Sequence, residues 1–179
     1  TTDGDKPVVS IEATTPEATE GAADNTLAFT ISQNNVSNFD TEVSVSLGTD
    51  NAVDAADINQ ISYTVDGVAD VVITDPTEIA DFLATGSVTI PAGSTFTPVI
   101  TITAKDDTIF ENSEDLVLDI DTDTDFASVS PTEGSATGTI LDEDQADNAP
   151  DNPDNTDDPI NTTDGDKPVV SIEATTPEA

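Results

Sequence analysis

Thr-Leu-Ala-Phe-Thr-Ile-Ser runs from Thr26 to Ser32. Its apolar residues Leu27, Phe29 and Ile31 fall at every second position, and only an extended chain puts all three on one face. The same period-two pattern recurs on both sides of it. Pro7 to Ala13 precedes it. Val43, Val45 and Leu47 follow, then Val88 and Ile90, then Phe96, Ile100, Ile102 and Ala104. Leu116, Leu118 and Ile120 make a sixth run, and Ser135 to Leu141 a seventh. Each run is short, rich in Val, Ile and Thr, and bounded by Gly, Asn, Asp or Pro. The reading is an all-β, immunoglobulin-like antiparallel β-sandwich of about seven strands.

Between the third and fourth runs lies an insertion, residues 58–85, that predicts a hairpin and a short helix. Ile61 to Val65 and Val68 to Thr74 flank an Asp66-Gly67 pair suited to a type I′ turn. Asp75 then stands as a helix N-cap, with Pro76 in the first helical position and Glu78 completing a capping box. A hairpin adds two strands, so it leaves the direction of the later strands unchanged. Strands one, three, five and seven therefore finish at the same end of the sandwich. The loops there hold Glu17 and Glu20, then Asp50, Asp54 and Asp57. They also hold Asp106, Asp107, Glu111 and Glu114, and finally Asp142, Glu143 and Asp144. This end is an acidic pole.

The first 18 residues set the organisation. Thr1 to Ala18 recurs without a mismatch as Thr162 to Ala179, a period of 161 residues. Residues 1–144 read as one module, 145–167 as an acidic linker rich in Pro, Asn and Asp, and 168–179 as the first strand of the next identical repeat. With Thr at position 1 and no Met, the sequence reads as an internal piece of a longer chain. An amphipathic strand left alone exposes apolar side chains and unpaired backbone groups. Val170 and Ile172 are accordingly expected to be buried by another copy of the module, as Val9 and Ile11 are in this one.

Charge excludes whole classes of function. The 179 residues carry 38 acids against 3 lysines, a formal charge of −35, with no His, Cys, Met or Trp. Three lysines cannot supply the cationic footprint that nucleic acid requires, and an anionic membrane surface repels such a chain. No apolar run is long enough to span a bilayer. Without His there is no base for serine catalysis, and without Trp there is no platform beside paired carboxylates for a glycosidase. The chain reads as a binding or structural module and not as an enzyme.

Crowded carboxylates repel one another, and burying them without partners is costly. Ca²⁺ relieves this with six to eight oxygen ligands in flexible geometry, whereas zinc would call for His or Cys. The competing reading is an acidic surface of the salt-adapted kind, with acids on every face. Four stretches together resemble the Calx-beta family: Ala-Lys-Asp-Asp-Thr-Ile-Phe-Glu-Asn-Ser-Glu-Asp-Leu from Ala104, the Glu20-Gly21 pair, Gly86 to Ser94, and the closing Gly138 to Asp144. The resemblance covers Val8 to Asp144 and implies a seven-stranded sandwich that binds calcium at its distal loops. Carried over by position, it implies Glu20, Asp57, Asp106, Asp107, the Ile109 carbonyl, Glu111, Asp142 and Asp144 as ligands. Glu143 stands where the family has Asp, and the insertion after Asp57 is longer than the family norm.

From Asp142 to Lys167, ten of 26 residues are acidic, interrupted by Pro150, Pro153 and Pro159. That composition reads either as a solvated extended linker or as one that itself takes up calcium and stiffens the joint. The expected function is a calcium-stabilised structural repeat of an extracellular fibre or cell-surface adhesin. Its partners would be neighbouring identical repeats, head to tail, holding a distal adhesion ligand site away from the cell. A calcium-sensing regulatory module is the alternative.

Overall fold

A computed structural model describes residues 6–23, 25–65, 69–107, 112–123, 125–142 and 172. Eleven strands and one helix occur among them. A six-stranded sheet runs in the order β10 (Ser128–Val129), β1 (Val8–Thr15), β3 (Thr26–Gln33), β8 (Val99–Ala104), β5 (Ile58–Val65), β6 (Ala69–Ile73). A five-stranded sheet faces it, in the order β2 (Glu17–Thr19), β11 (Ser135–Leu141), β9 (Glu114–Thr122), β4 (Thr41–Leu47), β7 (Gly86–Ile90). The alternation works as the sequence implies: β3 buries Leu27, Phe29 and Ile31 completely, and β4 buries Val43 and Val45 while turning Glu42 and Ser44 outward. The inward residues of both sheets form one continuous core.

Three features depart from the seven-run expectation. The first run is β1, and a further short strand follows it where loop is expected. β1 pairs with β3, the chain breaks at Pro16, and β2 crosses to the other sheet to lie parallel to β11. A register shift between Ala13 and Thr15 accompanies the bend, which is how a strand changes sheets at a corner. Second, the pairing is not wholly antiparallel, because β1 with β10 and β2 with β11 are parallel pairs. Third, Phe96 precedes its expected strand, which opens at Val99.

The hairpin and helix of the insertion are part of the sandwich itself. β5 pairs with β8 from Ile58 to Tyr63, so the hairpin widens the six-stranded sheet. The Asp66-Gly67 turn lies outside the described residues. The helix α1 (Pro76–Thr85) starts where its cap residue predicts, with the Asp75 carboxylate accepting from the backbone N–H of Thr77 at 2.9 Å and Glu78 at 3.3 Å. Ile79, Phe82 and Leu83, at helical spacing, are buried against β4, β5 and β7. Phe82 stacks on Tyr63 with ring centroids 5.1 Å apart. The helix thus closes one open side between the sheets. Gly86 ends it at close quarters, since a Cβ there would sit 2.5 Å from the Phe82 carbonyl oxygen. Gly86→Val is therefore expected to cost roughly 1–3 kcal/mol of stability by overpacking, read from urea unfolding.

Candidate functional site

The strand directions bring the acidic loops together. β1 and β8 are both antiparallel to β3, while β4 and β11 are both antiparallel to β9. The continuous passage from β1 into β2, which runs parallel to β11, aligns the two sets. β1–β2, β4, β8 and β11 consequently finish at one pole. The described loop residues there are 20–23 and 25, 48–57, and 105–107 with 112–113, and Asp142 follows β11. The 48–57 loop ends where β5 leaves this pole at Ile58; β6 then runs back, with Ile73 opposite Ile61, and α1 leads to β7, whose Gly86 lies opposite Val45.

Backbone contacts fasten the loops to one another. The Glu20 N–H donates to the Leu141 carbonyl at 2.9 Å, so Glu20 sits beside the chain that continues into Asp142. Both residues are buried, Glu20 6% and Asp142 3% exposed. Gly21 takes φ +64°, in the left-handed region, and a Cβ there would lie 3.2 Å from Asp106 Oδ1. A glycine is what lets the Asp106 carboxylate approach the Glu20 turn. Gly21→Ala is expected to cost about 1–3 kcal/mol from backbone strain, and to push the Asp106 carboxylate away by tenths of an ångström. Urea unfolding checks the first effect and calorimetric calcium titration the second.

The other described candidates are placed as follows. The Asp57 carbonyl accepts from the Lys105 N–H at 2.9 Å, which ties its loop to the Asp106–Asp107 loop. Its carboxylate, however, accepts from the Asp54 N–H at 2.7 Å, so it stabilises its own turn. Asp54 does the same for the Ala56 N–H at 2.5 Å. Asp107 pairs with Lys105 Nζ at 3.6 Å, and the same ammonium donates to the Ala56 carbonyl at 3.1 Å. Glu17, expected in a loop of this pole, instead opens β2 and sits opposite Thr139 within the ladder. Ile109, Glu111 and Asp144 lie outside the described residues, as do Glu143 and the linker 145–167.

Asn51 has a role that composition gives no signal for. Its Oδ1 accepts from the Val117 N–H at 3.2 Å and its amide donates to the Val53 carbonyl, while Ala52 N–H donates to the Asp115 carbonyl at 2.9 Å. These bonds hold residues 51–53 against β9, and Val53 is buried beneath the loop.

The donors of the pole are hard oxygens from carboxylates and backbone carbonyls, the set that suits Ca²⁺. Among the described residues, no three acidic side chains converge closely enough to hold a metal ion by themselves. Among them also, no helix is long and apolar enough to cross a membrane.

No family model matches this sequence, and no curated protein sequence does either. Solved structures do resemble it. The apo-form Calx CBD1 domain is similar at 14% identity and a TM-score of 0.47, over 75% of this chain and 97% of that one. The CBD12 structure from CALX1.2 is similar at 15% identity and 0.48, over 75% of this chain and 44% of that one. The collagen adhesin CNA from S. aureus is similar at 13% identity and 0.37, over 75% and 48%. The chain thus spans somewhat under half of the latter two. Likeness at these levels concerns strand arrangement, and the site stands on the geometry above.

Proposed function

We propose that this chain is a calcium-stabilised structural repeat of a long extracellular or cell-surface protein, joined head to tail with identical neighbours. The observation that carries the calcium part is the burial of Glu20 and Asp142 side by side at a pole that two further acidic loops also reach. Lys105 is the pole's own lysine by sequence, and it serves Asp107 and Ala56. A divalent cation would offset the remaining charge in a way that screening by monovalent salt does not. Glu20, Asp106, Asp107 and Asp142 are the described residues that would hold it, with the Ile109 carbonyl, Glu111 and Asp144 completing the shell. Asp57 would contribute least, because its carboxylate already stabilises its own turn.

The repeat part is supported by the identity of residues 1–18 with 162–179. Ile172 lends it no local support, since it is 100% exposed and packs on nothing in this chain. The extracellular part rests on affinity arithmetic: loops of this kind bind at roughly micromolar strength or weaker, filled by millimolar calcium outside cells and largely empty inside them.

One observation favours the salt-adapted alternative. Exposed acids also occur away from the pole, at Glu12, Asp40, Glu42, Asp81, Asp121, Asp123 and Asp125. Calorimetric titration separates the readings. Asp107→Asn and Glu111→Gln are each expected to weaken calcium affinity at least tenfold, about 1.4 kcal/mol, whereas Asp151→Asn in the linker changes it less. Equal responses from all three variants would overturn the ligand assignment.

A further inference from the structure

Residues 168–179 duplicate residues 7–18, and the structure gives in detail the place that residues 7–18 fill. β1 lies between β3 and the short β10, one strand from the sheet edge. Val9 and Ile11 enter the core at 0% and 4% exposure, and Ala18 of β2 at 1%. The Ser10 and Ser32 hydroxyls meet at 3.0 Å, and the Ile11 N–H donates to the Glu133 carbonyl at 2.9 Å. The Pro7 and Val9 carbonyls accept from Ser128 and Ser130, and the Pro16 carbonyl from Thr139. Val170, Ser171, Ile172, Pro168, Pro177 and Ala179 are the same residue types at the corresponding positions, so a second copy offers them an identical place. Within this chain β1 holds the place, and Ile172 is fully exposed whereas Ile11 is buried.

We propose that the β1 position is exchangeable between copies, so that residues 168–179 of one chain add as a strand beside β3 of a second copy and link the two head to tail. The proposal deepens the repeat reading and does not depend on calcium. Its energetics are simple. The two candidate strands make identical contacts, so effective concentration alone decides which is bound, and the strand tethered through residues 20–25 wins in an intact chain. Opening the position breaks the pairing of β1 with β3 and β10 and of β2 with β11, and an identical incoming strand restores each of them. Once the resident strand is disabled, the strand from a second copy takes its place.

The test uses two chains of these 179 residues at millimolar calcium. An acceptor carries Val9→Asp and Ile11→Asp, with Val170→Asp and Ile172→Asp so that it cannot fill its own position. The donor is unaltered. Mixing is expected to give a 1:1 complex by size exclusion with light scattering, and to lengthen the acceptor's protease half-life at least roughly tenfold. A donor carrying Val170→Asp and Ile172→Asp is expected to do neither. A milder acceptor, Ile11→Ala with Ile172→Ala, refolded from urea with labelled donor, covers the case in which the four-fold variant aggregates. Retention of labelled donor by either acceptor supports exchange; retention by neither overturns it. The unaltered chain's calcium-dependent melting is a separate measurement, so failure of exchange and failure of the calcium reading are told apart.

Discussion

Stripping calcium with EDTA at low salt is expected to lower the melting temperature of the unaltered chain by roughly 5–10 °C for each site lost. The magnitude follows from mass action. A site of about 10 µM affinity at millimolar calcium adds about 2.7 kcal/mol, and for a domain of this size each kcal/mol moves the midpoint by about 2–4 °C. The loss is expected to be local in origin. Glu20 and Asp142 are buried where β2 and β11 end, and Asp106 is held against the Gly21 turn, so removing a shared cation raises repulsion at the point where both sheets meet the pole. Protease sensitivity is therefore expected to rise first in residues 20–25 and 105–113, ahead of the β3–β8 core. Added NaCl screens all charges alike and is expected to restore only part of the loss. A melting curve that EDTA leaves unchanged would sink the calcium reading. Full rescue by NaCl would favour the salt-adapted surface instead.

How much of this was legible in the sequence depended on the kind of signal each element leaves. Leu27, Phe29 and Ile31 announce β3 because burying one face of a sheet requires alternation, and alternation survives in a single sequence. The convergence of the acidic loops was legible too, because strand direction follows from counting strands. Glu17–Thr19 and Ser128–Val129 were not, since strands of three and two residues are too short to show a period. The crossing at Pro16 depends on which sheet has an open edge, a property of the assembled sandwich alone. Asp75 and Pro76 marked the helix start correctly, but nothing local says that Ile79, Phe82 and Leu83 meet the space between β4 and β5. At the pole, the residue types pointed to a cation. Which carboxylates instead stabilise their own turns, as Asp54 and Asp57 do, is decided by loop geometry.

That helix allows structure and site to be measured apart. Phe82→Ala is expected to lower stability by roughly 3–5 kcal/mol, the usual cost of removing a buried aromatic and leaving a cavity. Phe82 is 6% exposed, stacks on Tyr63, and shares the core with Ile79 and Leu83. Phe39→Ala is the contrasting substitution. Phe39 is 62% exposed and touches Phe126 with centroids 5.6 Å apart, so its loss is expected to cost under about 1 kcal/mol. The decisive comparison is with and without calcium. The ring that Phe82 packs against, Tyr63, lies opposite Ile100, back from the pole end of β8, so its cost is expected to be the same in both conditions, within about 0.5 kcal/mol. Asp106→Asn is expected to behave in the opposite way. It removes one charge from the crowded pole, so in EDTA it leaves stability unchanged or raises it. In millimolar calcium it forfeits a ligand and lowers stability. Urea unfolding of the three variants in both conditions gives the full cycle. A cost for Asp106→Asn that is equal with and without calcium would remove Asp106 from the shell, whatever the unaltered chain does in EDTA.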